Sequence, residues 1–356
     1  MHGRPREPKG PKDPAKVEAR RRKAALYRQL SAECLGRRAA RRYDAESLGL
    51  VAQLLALNPE LYTLWNFRKE ALLAAGAFEA DAAAGGGGGE AARAAAQKEL
   101  ALVEAALRKN PKSYCTWQHR KWVVEGWTAL ADLPRELGLC DALLRADARN
   151  FHCWSYRRRV AALGAAQFPP DGELAFTAAK INENFSNYSA WHQRSALLPR
   201  VYPPATTLAA LEAGGEGEGG AGAVPDWALE AEYELVRQAF FTEPADQSAW
   251  LYHRWLLGNS IANAGPGLPA LLEREAAACE ELLELESSEG EGAAGTKWPL
   301  LTLARLRRAL RGGGGDEEEE GAWAKLAAAD PMRAGYYRSV AAGEPGTECL
   351  PKRAGA

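Results

Sequence analysis

Apolar and polar positions along the chain alternate with helical rather than strand period. The stretches LGLVAQLLALN (48–58) and ELALVEAALRKN (99–110) each carry an apolar stripe at spacings of three and four. Each runs into a tryptophan-bearing segment: NPELYTLW (58–65), NPKSYCTW (110–117), DARNFHCW (147–154), NFSNYSAW (184–191) and EPADQSAW (243–250). Seven residues beyond each tryptophan an apolar residue recurs (Leu72, Val124, Ala161, Leu198, Leu257), two turns on along the same face. β-branched alternation is scarce. The pattern predicts helix pairs, one hairpin per tryptophan, and an all-α chain.

The intervals between Trp65, Trp117, Trp154, Trp191 and Trp250 are 52, 37, 37 and 59 residues. The two long ones contain glycine-rich inserts, near 80–92 and 212–224, and a third glycine–acid stretch lies near 311–321. Such runs are poor helix formers and are predicted as loops. Without them the unit is in the mid-thirties, the length of a stacked helical hairpin. Seven residues ahead of each tryptophan stands Asn58, Asn110, Asp147, Asn184 or Glu243, and the first four are predicted as N-caps. Pro59, Pro111 and Pro244 follow, at what would be the first helical position. Trp298 is read as a degenerate sixth unit, and DPMRAGYYR (330–338), with Tyr337 at the tryptophan position, as a terminal one. The predicted organisation is a basic arm and first helix over 1–42, a repeat domain over 43–343 and a tail over 344–356.

Composition narrows the function classes. The chain has 356 residues, 47% of them hydrophobic, and a net charge of −1, so no global field favours nucleic acid. Charge is uneven: residues 1–42 hold fourteen Lys/Arg against four acids, which reads as solvated surface or as a docking arm for an acidic partner. No apolar run is long enough for a transmembrane helix, and the basic, proline-bearing start is not a signal peptide. Six scattered cysteines without CxxC pairs suit reduced thiols and a cytoplasmic protein.

The repeated residues are expected to be architecture. Arginine stands three after tryptophan in four units (Arg68, Arg120, Arg157, Arg194) and slips by one to Arg254 in the fifth. Tryptophan and arginine so spaced share a helix face, with the guanidinium free to donate to a carboxylate or carbonyl. His119, His152, His192 and His253 sit at different offsets, with no metal-ligand motif, P-loop, GxGxxG or nucleophile elbow beside them. Lys112 departs from the repeat: at its offset the other units have Glu60, Arg149, Ser186 and Ala245. If it lies one turn inside a helix start, the macrodipole opposes it. Either it is a solvated side chain, or helix start and ammonium together bind an anion such as a diphosphate.

With NPKSYxTWxHR in the second unit, the five repeats resemble the α subunits of protein prenyltransferases over residues ~50–340. MHGR, ARNFHCWSYRRRVAAL, NFSNYSAWH, FFTEPADQSAWLYHRWLLG and ADPMRAGYYR point to the Rab geranylgeranyltransferase (type II) branch. The resemblance implies a right-handed superhelical solenoid of antiparallel helix hairpins, wrapped around a β subunit that holds a zinc ion. It implies transfer of geranylgeranyl from geranylgeranyl diphosphate to C-terminal cysteines of Rab GTPases presented by a Rab escort protein, with no cofactor bound by this chain alone. By motif match, Lys112 would reach the diphosphate as the leaving group gains charge, and Tyr114 would line the same cleft. His152, Phe151 and His119 are the further cleft-lining candidates. Cys115 stands where the farnesyl and type I enzymes carry a glutamine that reads a CaaX terminus, and marks a different substrate class. His2 belongs either to a disordered terminus or to an arm that reaches the β-subunit zinc. The extra domains of animal versions are not visible, which implies a core-only or shortened chain. The alternatives are the α subunit shared by farnesyltransferase and type I geranylgeranyltransferase, or a non-catalytic tetratricopeptide-like scaffold.

Overall fold

The structure is a computed structural model, and it describes residues 13–76, 88–128, 131–203, 224–288, 296–311 and 317–344. Among these residues are fifteen α-helices and no strand. His2 lies outside the described residues, as do most of the insert near 212–224 and nearly all of the tail.

The chain divides into two compact units, 1–164 and 165–356. In the first, α1 (Pro14–Ala39) precedes three hairpins: α2 (Ala45–Leu57) with α3 (Tyr62–Ala74), α4 (Gly88–Lys109) with α5 (Tyr114–Gly126), and α6 (Leu133–Ala146) with α7 (Phe151–Leu163). In the second, α8 (Pro170–Glu183) pairs with α9 (Tyr188–Val201) and α10 (Asp226–Thr242) with α11 (Gln247–Asn263). Two further pairs follow: α12 (Leu268–Ser288) with α13 (Lys297–Arg311), and α14 (Glu317–Ala329) with α15 (Ala334–Ala341). The expected all-α succession of hairpins is what forms. In the pair α14–α15, Tyr337 is buried in the tryptophan place and donates its hydroxyl to Asp330 at 3.1 Å.

Two of the predicted loops are partly helix. Helix α4 begins at Gly88, so the last residues of the first glycine run form its opening turn. Helix α14 likewise begins at Glu317, inside the third glycine–acid stretch.

The cap register also differs from the sequence reading. Asn58, Asn110, Asp147, Asn184 and Glu243 end the preceding helices as C-caps. The N-caps of the tryptophan helices stand three residues later: Leu61, Ser113, Asn150, Asn187 and Asp246. An Asx residue followed by proline fits the first two positions of a β-turn as well as it fits a helix start, and here the turn prevails. The side chains of Asn58, Asn110, Asp147 and Asn184 each accept from the backbone N–H two residues on. The second residue of each turn presents its carbonyl to the indole N–H. Trp65, Trp117, Trp154, Trp191 and Trp250 donate to Pro59, Pro111, Ala148, Phe185 and Pro244 at 2.8–2.9 Å. All five indoles are buried. The turn and the tryptophan therefore form one device, which fixes the angle at which each helix returns.

A glutamate joins successive hairpins. Arg68 forks onto Glu99 at 2.6 and 2.5 Å, Arg120 onto Glu136 at 2.7 and 2.6 Å, and Arg194 onto Glu232 at 2.6 Å twice. The remaining guanidinium nitrogen of each donates to a carbonyl twenty residues upstream, in Leu48, Leu100 and Leu174. Each glutamate then accepts from the residue two after the next tryptophan: His119, Tyr156 or Tyr252, all at 2.7 Å. These glutamates stand eighteen residues ahead of that tryptophan, a spacing the buried Glu173 shares. Arg157 pairs with Asp141 at 2.5 Å within its own hairpin. In the fifth unit it is His253, not Arg254, that meets the carboxylate of the next helix, Glu275, at 2.9 Å, while Arg254 is exposed.

Burial pushes the Glu99 carboxyl up, but the bonds from Arg68 and His119 outweigh it and hold it at about 2. The unfolded chain, with an ordinary value of 4.5, binds a proton that the folded chain refuses. The stability this group confers is therefore full above about pH 4.5 and is lost as pH falls toward 2. Urea midpoints measured from pH 5 to pH 3 are expected to fall less steeply for Glu99→Gln than for wild type.

Candidate functional site

The residues singled out by the sequence gather on the turns of the second and third hairpins. Lys112 is the third residue of the turn that ends α4, and Ser113 caps α5 by accepting from the Thr116 N–H. Lys112 thus stands just outside the helix rather than one turn inside it, so the macrodipole penalty expected from the sequence is reduced. Its side chain is half exposed, and the ammonium lies 2.9 Å from the Asp147 carboxylate.

Tyr114 and Phe151 occupy the first positions of α5 and α7, and both rings are open to solvent, at 65% and 54%. Both stand three residues ahead of the buried tryptophan, at the very start of the helix, where no preceding helical turn covers the side chain. Tyr62 and Tyr188 hold the same place in their helices and are exposed as well. His152 is buried between the two rings, 4.2 Å edge-on from Tyr114 and 3.9 Å from Phe151. Burial lowers its pKa and outweighs an opposing pull from Glu60, with a lesser lowering contribution from the Lys112 charge. The imidazole is accordingly neutral at pH 7. The structure thus brings together an ammonium paired with a carboxylate, an exposed phenol and, beneath the phenol, a buried neutral imidazole.

His119 does not join them. It is fully buried, bonded to Glu99 through Nε2 and packed on Trp65 at 4.6 Å. Burial lowers its pKa, so it donates as the neutral tautomer. Its offset, two after tryptophan, is that of Tyr156 and Tyr252, and the expectation that it lines a cleft is corrected: it belongs to the core network.

Cys115 is half-buried, and its thiol donates to the Glu60 carbonyl at 3.3 Å. Ser248, at the same offset, donates to the Ser186 carbonyl in the same way. The position thus closes one turn onto the turn before it. Burial raises the Cys115 pKa, so it stays a thiol. The sequence reading missed Asp147 as a partner of Lys112, and it missed the glutamates of the core. For the latter a signal existed, the constant spacing of eighteen to the next tryptophan.

Successive helical hairpins, each built on a buried tryptophan that bonds to its own turn, define a helical repeat protein. Residues 44–75, 96–127, 133–163, 170–201 and 229–260 each match the protein prenyltransferase alpha subunit repeat. The chain is 42% identical to human geranylgeranyl transferase type-2 subunit alpha over 251 residues, 69% of this chain and 40% of that one. It is 48% identical to the Arabidopsis thaliana type-2 subunit alpha 1 over 262 residues, 73% of this chain and 34% of that one. With the Dictyostelium discoideum type-2 subunit alpha it shares 32% identity over 302 residues, 84% of this chain and 85% of that one. The chain therefore belongs to the protein prenyltransferase α subunit family, in its geranylgeranyl transferase type-2 branch. It spans about 40% of the length of the mammalian relatives. The fold is also that of Candida albicans protein geranylgeranyltransferase-I complexed with GGPP, at a TM-score of 0.65, 20% identity and coverage of 89% of this chain and 90% of that one.

Proposed function

We propose that the chain is the α subunit of a cytoplasmic heterodimer that transfers geranylgeranyl from geranylgeranyl diphosphate to C-terminal cysteines of Rab GTPases delivered by an escort protein. The observation that carries this reading is the ammonium of Lys112 beside Tyr114 and His152, on an exposed edge of a type-2 α subunit. In the reaction the bond between the isoprenoid carbon and the diphosphate oxygen breaks, and negative charge grows on the diphosphate. On this reading the Lys112 ammonium and the Tyr114 hydroxyl donate to that leaving group. A donor aimed where charge develops stabilises the transition state more than the ground state. The neutral imidazole of His152 keeps Tyr114 oriented and adds no competing charge.

The partner subunit would supply the isoprenoid pocket and a zinc ion to activate the acceptor thiol. Among the described residues no group of three or more His, Cys, Asp or Glu side chains is placed to hold a metal. No helix among them is long and apolar enough to cross a membrane. Cys115, with its thiol committed to Glu60, is a poor reader of a peptide carboxylate, which favours cysteine-rich Rab tails over CaaX termini. Co-expression with a type-2 β subunit is expected to give a stable complex that prenylates a Rab only when the escort protein is added. Complex formation with a farnesyl-type β subunit and transfer to a CaaX peptide would overturn the assignment.

A further inference from the structure

The turns of successive hairpins meet in a repeated way. The side chain seven before one tryptophan reaches the side chain five before the preceding one. Asn110 meets Glu60 at 3.3 Å, Asp147 meets Lys112 at 2.9 Å, and Glu243 meets Ser186 at 2.5 Å. Among these rungs, only that of Lys112 and Asp147 joins two charged groups. The turn itself does not require the charge. Asn58, Asn110 and Asn184 accept the same backbone N–H at 3.1, 3.2 and 2.9 Å that Asp147 accepts at 3.1 Å. A neutral amide thus serves at three of the four turns of this kind. The carboxylate stands at the fourth, opposite the lysine.

From this geometry we infer that Asp147 is a positioning residue: a built-in counter-ion that holds the Lys112 ammonium in the unliganded subunit and yields it to an incoming diphosphate. The inference rests on the reading of Lys112 as a diphosphate ligand. A half-exposed ion pair is weak enough to exchange, whereas a diphosphate offers several charge-assisted oxygens to the same ammonium. The cost is competition. A carboxylate within 3 Å of the ammonium lowers the local positive potential that the donor meets, and every donor molecule has to displace it. The arrangement also keeps Lys112 neutralised when no donor is present, which disfavours capture of other anions at the open edge. Asn150 supports it from the same side by donating to the Pro111 carbonyl at 2.9 Å, so the turn that carries Lys112 is tied to the turn that carries its counter-ion.

The test uses the full chain co-expressed with its β subunit, with geranylgeranyl diphosphate as the varied substrate. Asp147→Asn keeps the turn and removes the charge. It is expected to melt with the wild type and to raise kcat/KM for the donor several-fold, with a gain that shrinks as salt is raised. Asp147→Glu, which keeps a carboxylate, is expected to stay near wild type. A role confined to folding would lower both the melt and kcat/KM in Asp147→Asn. That result, or an unchanged kcat/KM, overturns the inference. Lys112→Ala in the same assay separates the two levels: if it is impaired while Asp147→Asn is not improved, only the counter-ion role fails. If Lys112→Ala performs as wild type, the reading of Lys112 fails and this inference with it.

Discussion

Lys112→Ala in the assembled heterodimer is expected to lower the rate of prenyl transfer about 30- to 1,000-fold, with the complex and its melting temperature intact. The range corresponds to about 2–4 kcal/mol, the usual cost of removing one preorganised donor to a developing oxyanion. Stability should be spared because the side chain is half exposed and its ion-pair partner, Asp147, is partly exposed as well. The backbone of Lys112 keeps its place without the ammonium, since its N–H is held by the Asn110 side chain at 3.2 Å. Lys112→Arg should recover only part of the rate, because a planar fork does not reproduce a compact point charge. Single-turnover transfer at saturating donor measures the effect. A wild-type rate in a complex of normal composition would remove Lys112 from the chemistry.

Most of what carries the fold is legible in the sequence, and the misreadings have a common origin. Tryptophan and arginine repeat at constant short spacing, so periodicity exposes them. The glutamates that bind the arginines lie 31, 16 and 38 residues from them, because inserts of different length intervene. Counted instead from the next tryptophan, the distance is constant, since no insert falls inside that stretch. The caps lie three residues beyond the sequence expectation because asparagine–proline is compatible with two local structures. What decides between them is the buried indole, whose N–H needs the carbonyl that a turn provides. His119 was assigned to the cleft by likeness of motif. Its offset within the repeat, shared with Tyr156 and Tyr252, would have placed it in the core. The pairing of Lys112 with Asp147 could not be read at all, because it depends on which turns stand side by side.

Trp117→Ala is the second large effect and separates scaffold from chemistry within one fourteen-residue stretch (109–122). The indole is 5% exposed and packs on Tyr156 at 5.3 Å between ring centres. Its N–H donates to the Pro111 carbonyl at 2.8 Å, and Asn150 donates to the same oxygen. Truncation opens a cavity between α5 and α7 and leaves Pro111 with one donor fewer, so the expected loss is about 3–5 kcal/mol. Trp117→Phe keeps most of the volume and loses the N–H alone, which should cost about 1–2 kcal/mol. Since the same carbonyl fixes the turn that carries Lys112, both variants should also loosen the site, and transfer should fall with the melting temperature rather than independently of it. Thermal melts of the two variants beside Lys112→Ala would show the contrast. A Trp117→Ala melt at the wild-type midpoint would mean that the indole does not hold the turn, and the coupling between repeat and site would have to lie elsewhere in the α5–α7 contact.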